Sequence, residues 1–161
     1  MQPSSTPELL EVLGRHEVAF IVVGVTAAVL QGAPVVTFDL DIVYLRSPEN
    51  NARLLAALDE IEAHFRNTPG RRIAPNQSHL ESNGHKLLMT KLGPLDVLGA
   101  LDPLTGYEQL VQHTVVLRVG DHDVRALGLE RLIEEKERAG RPKDHAALPV
   151  LRATLARLKA R

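Results

Sequence analysis

The sequence predicts an α+β fold built on a mixed sheet. Short apolar runs of strand character, "VAFIVVG" and "FDLDIVYL", alternate with helical patterns in the first third. Two-residue turn signals at Asn83-Gly84 and Gly120-Asp121 then announce antiparallel hairpins. From Leu127 the pattern is helical to the end. Strands separated by helices, then strands in hairpins, give a mixed sheet and not a regular doubly wound one.

The elements follow in order. "SSTPELLEVLGRHE" opens a helix: Ser5 or Thr6 precedes Pro7, Glu8 and Glu11 lie early, and Leu9, Leu10 and Leu13 form the apolar stripe. "VAFIVVG" is apolar throughout, as in a central strand buried on both faces, and Gly24 ends it. "VTAAVLQG" is a short Ala-rich helix closed by Gly32. After the connector "APVVT" comes the second strand, "FDLDIVYL". In "SPENNARLLAALDEIEAHFRN" Ser47 caps, Pro48 suits the first helical position, and Leu54, Leu55, Leu58, Ile61 and Phe65 are expected on one face. "HLESNGHKLLMTKLG" reads as a hairpin about Asn83-Gly84, "PLDVLGAL" as a lone strand, "TGYEQLVQHT" as a short helix, and "VVLRVGDHDVRAL" as a second hairpin. Gly140, Arg141 and Pro142 split the helical end in two. The expected organisation is one structural domain: an α/β core over 1–126 with a helical segment, 127–161, packed on it.

Composition narrows the function classes. With 161 residues, 44% of them hydrophobic but only 3% aromatic, the core must come from Leu, Val, Ala and Ile. There is no cysteine, which excludes disulfides and thiolate metal sites. A formal net charge of -1 gives no general case for a nucleic-acid coat or a membrane surface. The longest apolar run, "VAFIVVGVTAAVLQGA", is too short and glycine-broken to span a bilayer, and the start lacks signal-peptide character. A soluble, cytoplasmic protein without a membrane partner is expected.

Asp39, Asp41 and Asp96 interrupt strand-like apolar segments, and Asp39 and Asp41 alternate with Leu40 and Ile42, so both point to one face. Like charges that close repel unless a cation lies between them. Oxygen-only ligand sets suit magnesium or manganese, and such ions serve phosphoryl and nucleotidyl transfer. The plain alternative is the exposed face of an edge strand. Other features also have ordinary readings. "RNTPGRR", with Arg66, Arg71 and Arg72, is a solvated loop or a small phosphate patch. The seven histidines show no metal-motif spacing, although His79 and His85 flank the Asn83-Gly84 turn and would line a cleft if that hairpin formed its wall.

The stretch "IVVGVTAAVLQGAPVVTFDLDIVY" resembles the signature of the nucleotidyltransferase superfamily with the DNA polymerase beta-like fold, most nearly the AbiEii-type toxin nucleotidyltransferases and related small proteins. Gly24, Ala27, Thr37, Asp39 and Asp41 fall in matching places, Asp96 in "GPLDVLG" resembles the third acid, and Lys136, Arg141, Lys143 and Asp144 match the closing segment. The resemblance implies a minimal nucleotidyltransferase fold and a catalytic, metal-binding triad of Asp39, Asp41 and Asp96 using Mg2+ or Mn2+. It also implies nucleotide binding by Gly24, Val25, Thr37, Lys136, Arg141 and Lys143. The activity implied is transfer of a nucleoside monophosphate from a nucleoside triphosphate to a hydroxyl on RNA (tRNA among them), a protein or a small molecule, with a cognate antitoxin as a further partner. Asp144 is expected to cap the last helix or pair with a neighbouring base. Two departures, Val25 for the second small residue of the turn and Val35 where relatives often carry arginine, favour the alternative of a non-catalytic binding module or toxin–antitoxin component.

Overall fold

A computed structural model describes residues 4–161. The first helix, α1 (Thr6–Arg15), starts behind Ser5 with Pro7 in its first turn and buries Leu9, Leu10 and Leu13. Strand β1 (Phe20–Val23) is buried along its whole length, and α2 (Gly24–Leu30) begins on the next residue. Strand β2 (Leu40–Tyr44) leads to α3 (Pro48–Glu60), whose Ser47 cap accepts a hydrogen bond from the Asn50 amide. There follow β3 (His64–Phe65), α4 (Gln77–Glu81), β4 (His85–Thr90) and β5 (Gly93–Leu98). A small two-stranded sheet, β6 (Ala100–Asp102) with β7 (Thr105–Gly106), precedes α5 (Tyr107–Leu110) and one 3-10 turn. Strands β8 (Thr114–Val119) and β9 (His122–Leu127) form the hairpin expected at Gly120-Asp121. Helices α6 (Leu129–Ala139) and α7 (Pro142–Lys159) close the chain, with Gly140 left-handed between them.

The main sheet has the order β3-β4-β5-β2-β1-β9-β8. It is mixed: β1 runs antiparallel to β2 but parallel to β9, and β2 runs parallel to β5. The α+β expectation is met. Alternation along β2 puts Leu40, Ile42 and Tyr44 on one face and Asp41 on the other. The first face carries the helical layer: α1 packs on β9 and on α3, and α3 on α4. Asp41 is the one residue of β2 that is not buried. Among the described residues no helix is long and apolar enough to cross a membrane.

Three expectations need correction. The hairpin is not at Asn83-Gly84. Asn76 caps α4 by accepting from the His79 amide at 3.0 Å, and this local cap captures residues 77–81 as helix. The turn lies instead between Thr90 and Gly93, where Gly93 takes φ 104 and the Thr90 hydroxyl bonds the Gly93 carbonyl and the Leu92 amide. "PLDVLGAL" is consequently no lone strand, because β5 is the hairpin partner of β4. Phe65 is not on the α3 face either: the helix ends at Glu60, and Glu62 at φ 55 redirects the chain into β3.

The Ser82–Gly84 bend that precedes β4 is tied down by a buried lysine. Lys86 is 4% exposed and its ammonium donates to Tyr44 Oη, Ser82 O and Gly84 O at 2.9, 2.6 and 2.8 Å. Burial lowers its pKa to about 8, while three oxygens satisfy the charged form. The folded state therefore binds fewer protons than the unfolded chain between pH about 8 and about 10.4, and stability rises with pH over that window. Lys86→Met is expected to lower stability by about 2 kcal/mol at neutral pH, since Tyr44 Oη loses its donor and the Ser82 and Gly84 carbonyls lose their shortest one, and to lose that alkaline rise. Urea melts of both proteins at neutral and alkaline pH check it.

Candidate functional site

The three acids meet where β2 and β5 pair. Asp41 is in register with Asp96 on one side and with Val23, the last residue of β1, on the other. Direct neighbours in a sheet share a face, so the two carboxylates stand side by side. Asp39 sits just ahead of β2. Its carbonyl accepts from the hydroxyls of Thr26 (2.8 Å) and Thr37 (3.0 Å), which ties the approach to the strand down on α2. One ligand oxygen from each of Asp39, Asp41 and Asp96 lies within 4.8 Å of the others.

Packing charges this closely has an electrostatic consequence. Asp41 titrates at about 7, raised first by burial, then by Asp96 and Asp39, with Arg66 opposing. Asp39 is raised too, by burial first and then by Asp96. Asp41 Oδ1 is buried and has no hydrogen-bond partner among the described residues. A buried, unpartnered carboxylate oxygen inside a cluster of oxygen donors fits a hard divalent cation, which would supply both the missing bond and the missing charge.

Gly24 makes the junction with α2 possible. It has φ 68, and a β-carbon there would come 2.7 Å from Asp41 Oδ2. Glycine is needed on both counts. The first turn of α2 thus opens directly beside the acids, with Val25 37% exposed on its outer side. Thr37 spends its hydroxyl on the Asp39 carbonyl.

The cations proposed from sequence stand differently. Lys136 borders a mostly apolar cavity of about 230 Å³ that Gly24, Val25, Val35, Ala147 and Val150 also line. Its ammonium is 3.2 Å from Asp144 Oδ1. Arg141 donates to the same carboxylate through Nε at 2.6 Å and Nη2 at 3.2 Å. Asp144 is fully enclosed and accepts the Arg141 amide as well, in the cap of α7. Lys143 is exposed on the first turn of α7. Lys136 and Arg141 therefore hold the α6–α7 corner in this structure.

Sequence reasoning read Arg66 as part of a loop or phosphate patch and missed its partner among the acids. Arg66 reaches Asp96 Oδ1 with Nη2 at 2.7 Å and the Leu88 carbonyl with Nη1 at 2.7 Å. Arg71 and Arg72 stay exposed, so the three arginines make no common patch. Only the pairing of β3 with β4, which seats Phe65 opposite Leu88, turns Arg66 towards β5. No local pattern in "RNTPGRR" signals this. The histidine expectation fails: His79 Nδ1 accepts from the Asn76 amide in the cap of α4, and His85 Nε2 bonds the Ala100 carbonyl.

No family model matches the chain, and no curated protein matches its sequence. Solved structures do match. The lincosamide antibiotic adenylyltransferase LnuA, in its lincomycin-bound crystal structure, aligns over 96% of this chain and 99% of its own, with a TM-score of 0.63 and 13% identity. The antibiotic-resistance factor ANT(2'')-Ia aligns over 96% and 84%, with a TM-score of 0.58 and 13% identity. The chain has the nucleotidyltransferase fold. A candidate nucleotidyltransferase from Thermotoga maritima shares that fold over 89% of this chain and 91% of its own, with a TM-score of 0.54 and 19% identity. In this nucleotidyltransferase fold Asp41 and Asp96 occupy the middle of the sheet, with Asp39 just ahead of β2, beside the start of α2.

Proposed function

We propose that this chain is a metal-dependent nucleotidyltransferase that moves a nucleoside monophosphate from a nucleoside triphosphate to an acceptor hydroxyl. The convergence of Asp39, Asp41 and Asp96 oxygens within 4.8 Å, beside a helix opened by glycine, carries the reading. The three carboxylates would hold Mg2+ or Mn2+, which when bound neutralises phosphate charge and lowers the pKa of a bound hydroxyl. Gly24 and Val25 present the first amides of α2 to the phosphates, and the bare α-carbon of Gly24 leaves room for that approach. The acceptor oxygen forms a bond to the α-phosphorus, the bond to the bridging oxygen breaks, and pyrophosphate leaves. The hydroxyl proton passes to a carboxylate of the cluster. Positioning and charge complementarity supply the rate. The acceptor belongs to a small molecule, an RNA such as tRNA, or a protein.

A second reading is a non-catalytic binding module, alone or with an antitoxin-like partner. Val25 at the turn favours it, and so does the commitment of Lys136 and Arg141 to Asp144. Incubating the purified protein with α-labelled nucleoside triphosphates, manganese and separate acceptor pools of RNA, protein and hydroxylated small molecules decides between the two. The expected result is labelled acceptor with stoichiometric pyrophosphate, absent in the Asp39→Asn, Asp41→Asn double variant. Metal-dependent nucleotide binding without pyrophosphate from any pool would establish the binding module instead.

A further inference from the structure

Arg66 is in none of the motifs that carry the sequence resemblance, yet it touches the acid cluster directly. Its guanidinium is braced at two points, Leu88 O and Asp96 Oδ1, and its own amide donates to Leu87 O at 2.9 Å. The two side chains are nearly closed to solvent, 15% exposed for Arg66 and 13% for Asp96. A fork held this way is not a mobile surface cation. It fixes the rotamer of Asp96, occupies Oδ1, and leaves Oδ2 as the oxygen that can turn to a metal.

The charge count gives Arg66 a second consequence. Once metal binding has displaced their protons, three ionised carboxylates with one guanidinium leave a charge of −2, which one divalent ion cancels. Without the guanidinium the cluster carries −3, and one divalent ion leaves a residual charge that attracts a second.

Resting on the nucleotidyltransferase reading, we infer that Arg66 is a built-in counter-ion and positioning residue: it aims Asp96 and limits the nucleotide-free site to a single divalent ion. A second ion then enters only with the charge of a bound triphosphate. Arg66 thus weakens metal binding to the free protein while improving its geometry.

Manganese titrations of the full chain, followed by electron paramagnetic resonance, test this directly. Wild type is expected to bind one Mn2+ without nucleotide. Arg66→Gln keeps a hydrogen-bonding side chain but loses the charge. It is expected to bind the first Mn2+ at least about tenfold more tightly, as removal of a unit charge a few ångströms away requires, and to take up a second ion. It is also expected to melt lower than wild type in a chelator, because Asp96 loses its partner. Arg66→Lys should return the stoichiometry to one, since a point charge suffices for that, but not the spectrum of the wild-type ion, which depends on how Asp96 is aimed. If wild type binds Mn2+ and Arg66→Gln binds it equally or more weakly, Arg66 is only a structural pair for Asp96 and the inference falls. If wild type itself binds no Mn2+, with or without nucleotide, the nucleotidyltransferase reading falls with it.

Discussion

Asp41→Asn is expected to raise the thermal stability of the metal-free protein at pH about 8 while removing the proposed nucleotidyl transfer. The two effects have one origin. Asp41 Oδ1 is buried without a partner, and its carboxyl titrates at about 7 because burial and its acidic neighbours disfavour the charge. Unfolded, the same group titrates near 3.9. The folded state therefore binds the extra proton between these values, and the stability this gives is present at acid pH and lost as pH rises through about 7. The loss amounts to at most about 4 kcal/mol for a shift of this size. An asparagine carries no charge at any pH, so the variant should show a flat profile where wild type declines. Added Mg2+ should restore wild type at neutral pH and leave the variant unmoved. Transfer should fall by about a thousandfold or more, the scale of losing several kcal/mol of charge stabilisation. Melting curves across pH, with and without Mg2+, read the first effect and pyrophosphate release the second. A variant that melts below wild type at pH about 8, or that still transfers label, would place the metal-binding chemistry elsewhere.

Asp144→Ala should be the most damaging single change at the C-terminal end. This carboxylate is wholly enclosed and receives Arg141 from its own helix and Lys136 from α6. The guanidinium first, then the ammonium, hold its pKa far below the usual carboxylate range. A depressed carboxyl gives stability that is present above its unfolded value near 3.9 and lost as pH falls through the folded one, so the clamp outlasts moderate acid. Arg141 is more than half exposed and screened, which limits its share. Removing the acid loses the α7 cap and strands Lys136, for a cost of about 2–3 kcal/mol and a drop of roughly 5–10 °C in melting temperature. Lys136 would then be released beside Gly24, on the wall of the cavity it already borders. Triphosphate affinity, measured by calorimetry, should rise in Asp144→Asn, which keeps the side-chain size while releasing both cations. Unchanged affinity would show that Lys136 has no reach to the nucleotide.

What could be read from the sequence was local. The run from β1 through Gly24 and α2 to β2 announces itself because every signal in it, apolar run, glycine, small-residue helix and alternating acids, lies within about two dozen residues. The hairpin at Gly120-Asp121 and the break at Gly140 are legible for the same reason. Asp96 was legible as a misfit in its strand, but its place beside Asp41 depends on a parallel pairing across a long crossover. Parallel partners leave no turn signature. Arg66 was harder still, since its partner lies 30 residues away and its loop reads as ordinary solvent-facing sequence. Asn83-Gly84 misled because a strong turn dipeptide says that the chain bends, not what it joins. Lys86 and the cap at Asn76 decided that.

The position of β1 has a consequence for how the chain is made. β1 lies between β2, reached within about twenty residues, and β9, which arrives about a hundred residues later. As a nascent chain emerges, the first side is covered early while Phe20–Val23 keeps an open, wholly apolar edge on the other. Such an edge is a template for pairing with another chain. At a synthesis rate of roughly 5–20 residues per second, that edge stays open for several seconds. Chaperone demand should therefore track the delay to residue 127, and slow codons placed between β5 and β9 should increase aggregation during expression without altering the finished protein.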